Sequence, residues 1–305
     1  MTVQIEMLSR KLEAVSVVKW LFVRMLMNVA IVSTTVSFAD AGIFFIGNSL
    51  TWDARPMLFD QPTDWHIRSG RNLPYILDHP SELNGTDSTS WDVGLVDHQY
   101  DWLVIQPHFR STLQEDVDAI SHWMQLQPNA KVLLHTGWAR HAEIATIYEG
   151  GNVNDVMSHS PEYFDDLMSE LAATDPGREI SRTKHMDVLY EVKKDIEAGI
   201  APIDEFSDLF RDSLHLTIFE GRYLAHNLLR NAVGEPTSTT GFVTQRGDLK
   251  FSQATKDYFD TKLLAVLLED VPATVPEMST FFSFVLIGCL ALWNRFPRRN
   301  IRNRV

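Results

Sequence analysis

Ser49 stands in Gly47-Asn48-Ser49-Leu50-Thr51, directly behind the apolar run Gly42-Ile-Phe-Phe-Ile46, and far downstream His215 closes the segment Asp212-Ser-Leu-His215. A serine hydroxyl is a poor nucleophile until an adjacent base takes its proton. The imidazole of His215 can serve as that base. A carboxylate three residues earlier can return through a tight turn to the second ring nitrogen, fixing the tautomer and stabilising the imidazolium that forms. Together Ser49, His215 and Asp212 are the parts for acyl transfer through a covalent serine intermediate. Such chemistry also needs hydrogen-bond donors where negative charge develops on the substrate carbonyl oxygen. The backbone N–H groups of Ser49 and of Gly70, in Arg68-Ser69-Gly70-Arg71, are candidates.

Elements must bring these distant segments together. Gly42 to Ile46, Trp102-Leu-Val-Ile105 and Lys131-Val-Leu-Leu-His135 are short continuous apolar runs, the pattern of strands buried on both faces. Helical patterns lie between and after them, over 73–77, 115–126, 161–173, 185–198, 221–233 and 253–268. Alternation of this kind predicts crossover connections and a mostly parallel sheet between helices. Ligands then bind outside the carboxyl ends of the strands. Ser49, Gln106 and Thr136 each follow a predicted strand and should share that edge. The segment 140–160, with Gly150-Gly151, reads as a long surface loop, and Trp138 and Arg140 are candidates for lining a substrate cleft.

Bulk composition narrows the class. Of the 305 residues 45% are hydrophobic and 22% charged, ordinary for a globular chain. The net charge of -13 excludes a nucleic-acid partner as the natural reading, since phosphate binding needs clustered Lys and Arg. The single cysteine, Cys289, lies near the C-terminus, so a domain over 42–270 has neither disulfides nor a thiol nucleophile. His108, His135 and His141 could be imagined around zinc, but their spacing is not that of a helical zinc motif, and neither metal nor organic cofactor is expected.

Both ends carry processing signals. Lys19 and Arg24 precede the apolar stretch Met25 to Val32, and Ala39-Asp40-Ala41 follows, the order of a secretory signal cleaved after Ala41. An uncleaved anchor or a later start codon fits the same residues. At the other end Val275-Pro-Glu-Met-Ser-Thr280 leads into apolar Phe281 to Trp293 and then Arg295, Arg298, Arg299, Arg302 and Arg304. Arginines beyond an apolar segment stay cytoplasmic and leave the preceding domain outside. This tail, 271–305 with its linker, resembles a PEP-CTERM sorting signal, with Met278 where a second proline is usual. The resemblance implies a Gram-negative bacterium and an exosortase-like processing enzyme as partner; a plain C-terminal membrane anchor is the simpler reading.

The central residues resemble the SGNH/GDSL hydrolase superfamily of esterases and lipases. Gly47-Asn48-Ser49-Leu50 is similar to its first block, with Asn48 for the usual aspartate; Gly70 corresponds to the second; Asp212-Ser-Leu-His215 matches the last. The resemblance implies an α/β fold, a flavodoxin-like three-layer sandwich with a parallel sheet between helices. It also implies an oxyanion hole formed by Ser49, Gly70 and a third residue. That third block departs from the family's G-x-N-D, reading Ile105-Gln106-Pro107-His108, so Gln106 takes the place of an asparagine.

The expectation is an exported serine esterase acting on O-acyl esters of small molecules or surface glycans. A non-catalytic, glycan-binding or envelope-binding protein of the same fold is the rival, and acyl transfer to a second sugar is a third option.

Overall fold

A computed structural model describes residues 42–85 and 87–269; the expected signal and sorting segments, 1–41 and 271–305, lie outside the described residues. Five strands, β1 (Ile43–Gly47), β2 (Thr63–Ile67), β3 (Trp102–Ile105), β4 (Lys131–Leu134) and β5 (Ile180–Arg182), form one parallel sheet in the order β2-β1-β3-β4-β5. The helices are α1 (Ser49–Asp53), α2 (Leu73–Asp78), α3 (Trp91–Asp97), α4 (Leu113–Leu126), α5 (Ile144–Gly150), α6 (Pro161–Thr174), α7 (His185–Glu197), α8 (Glu220–Ala232) and α9 (Gln253–Glu269). This is the flavodoxin-like three-layer sandwich expected from the sequence.

The side chains of β1 explain the layering. Period-two alternation sends Phe44 and Ile46 to one face, where Leu103, Ile105, Val132 and Leu134 join them against α2, α3, α4 and α6. Ile43 and Phe45 point to the other face with Val104 and Leu133, under Leu229 and Val233 of the α8 end. Trp138 and residues of α5, α7, α8 and α9 complete that second layer. Both faces are covered, so the central strands read as unbroken apolar runs rather than alternating ones.

Local signals set the helix limits. Thr112 caps α4 and forms a reciprocal capping box with Glu115, while Ser160 caps α6 ahead of Pro161. Elements not foreseen include the two edge strands and the helices α1 and α3. β5 has only 3 residues of intermediate burial, and β2 carries Thr63, Asp64 and His66 among its 5, so neither shows the apolar run of a central strand. The segment 140–160 is not a continuous loop, because Ile144 is fully buried and anchors α5 within it. Among the described residues no helix is long and apolar enough to cross a membrane.

The register fixes the location of the site. Ile46 pairs with Ile105, and Ile105 with Leu134, so β1, β3 and β4 end level and release Asn48-Ser49, Gln106 and Thr136 along one edge. Strand order reverses between β1 and β3, which makes this edge the topological switch point where such sheets open a crevice.

Candidate active site

Ser49 is the first residue of α1, immediately after its cap Asn48, whose side-chain oxygen accepts the Leu50 N–H at 3.0 Å. Asparagine accepts this bond as aspartate would, so the departure at position 48 leaves the cap intact. Gly47 is required by close approach: a Cβ there would sit 2.2 Å from Thr51 Oγ1 and 2.9 Å from Gln106 Cβ. As the first helical residue Ser49 has no intrahelical acceptor for its N–H, which is left free to donate elsewhere.

His215 arrives from the opposite end of the chain. Phe210 and Leu216 form an antiparallel bridge, and the Arg211 N–H donates to the His215 carbonyl at 2.8 Å, so Asp212 to His215 form the tip of a small hairpin. At that tip the Asp212 carboxylate accepts the N–H groups of Leu214 and His215, each at 2.8 Å. It also lies 2.8 and 3.1 Å from His215 Nδ1. The other ring nitrogen, Nε2, is 2.9 Å from Ser49 Oγ. Serine, imidazole and carboxylate thus form one continuous relay.

Electrostatics favour the ionised carboxylate. Partial burial alone would raise the Asp212 value, but the donors from His215 and Leu214 outweigh it and hold the carboxyl down at about 2. Asp212 therefore stays charged near neutral pH, and the ring it contacts is that of His215.

The hairpin and α1 are bound to each other through residues that carried no sequence motif. Asp53, at the end of α1, is fully buried and accepts Arg222 Nε at 2.9 Å and Nη2 at 2.6 Å. It also accepts Arg211 Nη1 at 3.1 Å and the Leu216 N–H at 3.1 Å. One helical turn beyond Arg222, His226 Nδ1 donates to the Ala54 carbonyl at 2.8 Å. A signal was present in α8, where Arg222, His226 and Arg230 recur every four residues on a face that is otherwise apolar. Trp138 is fully buried and its indole N–H donates to the Leu214 carbonyl at 2.8 Å, while the His141 N–H donates to the Ser213 carbonyl at 3.0 Å.

The other candidates divide by position. A cleft of about 420 Å³ beside the relay is lined by Gly70, His108, Phe109, Arg110, Arg140, Glu143 and Leu214. Gly70 and Arg140 therefore face the cleft, whereas Trp138 acts behind it through Leu214. Gln106 is fully buried; its amide donates to the Pro107 carbonyl and its oxygen lies 3.4 Å from Thr51 Oγ1. One of its two amide hydrogens is thereby engaged. Burial lowers the His108 ring to about 4, assisted by the charges of Arg110 and His215, so it faces the cleft neutral. His135 lies fully buried against His185, with ring centroids 4.5 Å apart. Among the described residues no three His, Cys, Asp or Glu side chains are grouped to hold a metal ion.

No protein-family model and no curated protein matches the sequence. Solved structures resemble the chain at low identity. A DUF4886 family protein from Bacteroides uniformis matches at 16% identity over 78% of this chain and 98% of its own, with a TM-score of 0.46. A protein described as a GDSL-like lipase from Parabacteroides merdae matches at 14% identity over 64% of this chain and 96% of its own, TM-score 0.38. A family two carbohydrate esterase from Clostridium thermocellum, solved in complex with cellohexaose, matches at 14% identity over 63% of this chain and 64% of its own, TM-score 0.38. Each is a distant likeness of architecture.

Proposed function

We propose that the chain is an exported serine esterase of the SGNH/GDSL type that hydrolyses O-acyl esters. The observation that carries this reading is the relay from Ser49 Oγ through His215 to Asp212, with 2.9 Å and 2.8 Å links. In this mechanism Ser49 Oγ attacks the ester carbonyl while His215 Nε2 takes its proton. The Ser49 and Gly70 N–H groups and the free amide hydrogen of Gln106 receive the developing oxyanion. Collapse breaks the bond to the alcohol oxygen, which leaves with the proton from His215, and the acyl group remains on Ser49. A water then gives its proton to His215 and attacks the acyl carbon. Collapse of this second adduct returns the proton to Ser49 Oγ and releases the carboxylic acid. Every step uses groups of the chain and water, so no cofactor is invoked.

Export and anchoring rest on the order of basic, apolar and small residues at 1–41 and on the tail at 271–305. A domain without cysteine can be secreted without oxidative folding. An exosortase-like enzyme acting on the tail, and O-acylated surface glycans as substrates, extend this reading by analogy.

The rival, a binding protein of the same fold, draws support from the Gln106 amide, which is already hydrogen-bonded to the Pro107 carbonyl. A fluorophosphonate probe separates the two. The wild-type chain should be labelled and Ser49→Ala should not; a folded wild-type chain that stays unlabelled and hydrolyses no aryl ester refutes the esterase reading.

A further inference from the structure

Arg110 and Arg140 both line the cleft beside Ser49, and neither guanidinium is ion-paired or hydrogen-bonded among the described residues. Among the described residues Arg68, Arg178, Arg182, Arg211, Arg222 and Arg230 each hold a carboxylate, whereas Arg55, Arg71 and Arg246 form no ion pair either; what sets Arg110 and Arg140 apart is that both stand in the cleft. With 40 acidic residues against 27 basic ones, the protein does not lack acceptors for arginine. Arg110 is moreover held with φ of 78°, in the left-handed region that non-glycine residues rarely adopt. Such outliers persist where surrounding structure over-determines them, and they concentrate at ligand sites.

From these features we infer that the cleft selects esters carrying a carboxylate, in either the acyl or the alcohol half, and that Arg110 and Arg140 receive it. The inference rests on the esterase reading and adds a substrate class to it. A chain of net charge -13 repels anions at long range, so an acidic substrate needs a local positive field to enter. Two planar guanidinium forks supply that field and match the carboxylate geometry. Glu143 lies in the same cleft and leaves the arginine pair with a single net positive charge, which suits a carboxylate better than a doubly charged phosphate. His108, which lines the same cleft uncharged, adds neither attraction nor repulsion.

The test compares kcat/KM for phenyl acetate, 4-carboxyphenyl acetate and phenyl hemisuccinate, which place the carboxylate nowhere, on the alcohol half and on the acyl half. At low salt the wild-type enzyme should prefer one carboxylate ester over phenyl acetate at least tenfold, and which one identifies the half that meets the arginines. Arg110→Gln and Arg140→Gln should each reduce that preference at least fivefold, mainly through KM. Lysine at either position should restore part of it, and 0.5 M salt should weaken it, because exposed charges are screened within about 3–5 Å at such concentrations. Hydrolysis with no preference for charge, or a preference unchanged in the double glutamine variant, overturns the inference while labelling of Ser49 leaves the esterase reading standing. Absence of both labelling and hydrolysis overturns the two together.

Discussion

The buried carboxylate of Asp53 accepts the Leu216 N–H at 3.1 Å, and thereby ties the helix that begins at Ser49 to the residue next to His215. Ser49 and His215 stand 166 positions apart in the sequence, and this link, with Arg211 and Arg222 on the same carboxylate, supports their 2.9 Å separation. Removing one partner of a buried ion pair leaves the others uncompensated, at a cost of about 3–5 kcal/mol. Asp53→Asn should therefore lower stability by about 3 kcal/mol in denaturant titrations. Well below its melting temperature the folded variant should also show a kcat at least tenfold reduced. A variant that is destabilised yet keeps full kcat would mean that Asp53 supports the fold without positioning the relay.

Asp212 bonds Nδ1 of His215 and fixes which nitrogen faces Ser49. Asn at position 212 would keep the shape but could present its amide N–H to the ring and favour the wrong tautomer. Asp212→Asn should lower kcat by about 10⁴, as such replacements do in serine hydrolases. Because Asp212 is half exposed, the melting temperature should change by only a few degrees. Single-turnover kinetics with an aryl ester separate acylation from binding, and an unchanged acylation rate would remove Asp212 from the mechanism.

Gly137 packs the β4 edge against the site. Its φ is +58°, and an added Cβ would lie 3.1 Å from His159 Cε1, 3.1 Å from Leu50 Cδ1 and 3.3 Å from Gln106 Nε2. The backbone strain and the crowding act together, so Gly137→Ala should cost about 1–3 kcal/mol. It should also slow the reaction through Gln106 and the helix that carries Ser49. Thermal unfolding and kcat measured on the same preparation check both effects.

Stability should fall steeply as pH drops. Burial lowers His66, His108, His185 and His226 to about 4 and His159 to about 3. In the unfolded chain these rings take up protons near pH 6.5. A base whose folded value is lowered contributes stability that is complete above 6.5 and lost as pH falls toward 4. Asp116 acts in the opposite sense: burial raises it to about 7, against the hydrogen bonds from Tyr163 and Ser111, so its contribution weakens as pH rises from about 4 to 7. Five rings outweigh one carboxyl. Denaturant midpoints at pH 7, 6 and 5 should decline progressively, and a midpoint that rises toward pH 5 would contradict the neutral burial of these rings.

Much of the architecture was legible because burial on both faces leaves a plain sequence record. β1, β3 and β4 read as apolar runs, and the long helices as apolar residues at helical spacing. The edge strands β2 and β5 were missed, since an edge strand need not be apolar on both sides and β5 has only 3 residues. In the site, Gly47-Asn-Ser49 and Asp212-Ser-Leu-His215 were legible from residue type and spacing. Asp53, Arg211 and Arg222 were not, because a charge destined for burial looks in sequence like any surface charge until its partner is known.

Residue type and local spacing therefore set the chemistry on offer: a serine, a histidine and an aspartate in the order and spacing of an acyl-transfer relay, behind strands that must end at one edge. Folding was needed to bring Nε2 of His215 to Ser49, to put Trp138 behind the cleft while Arg140 lines it, and to leave Arg110 and Arg140 unpaired there. The physical reason is range. Periodicity and capping act over a few residues and are written locally, whereas hydrogen bonds and ion pairs across the sheet edge depend on distances that exist only once the chain has folded.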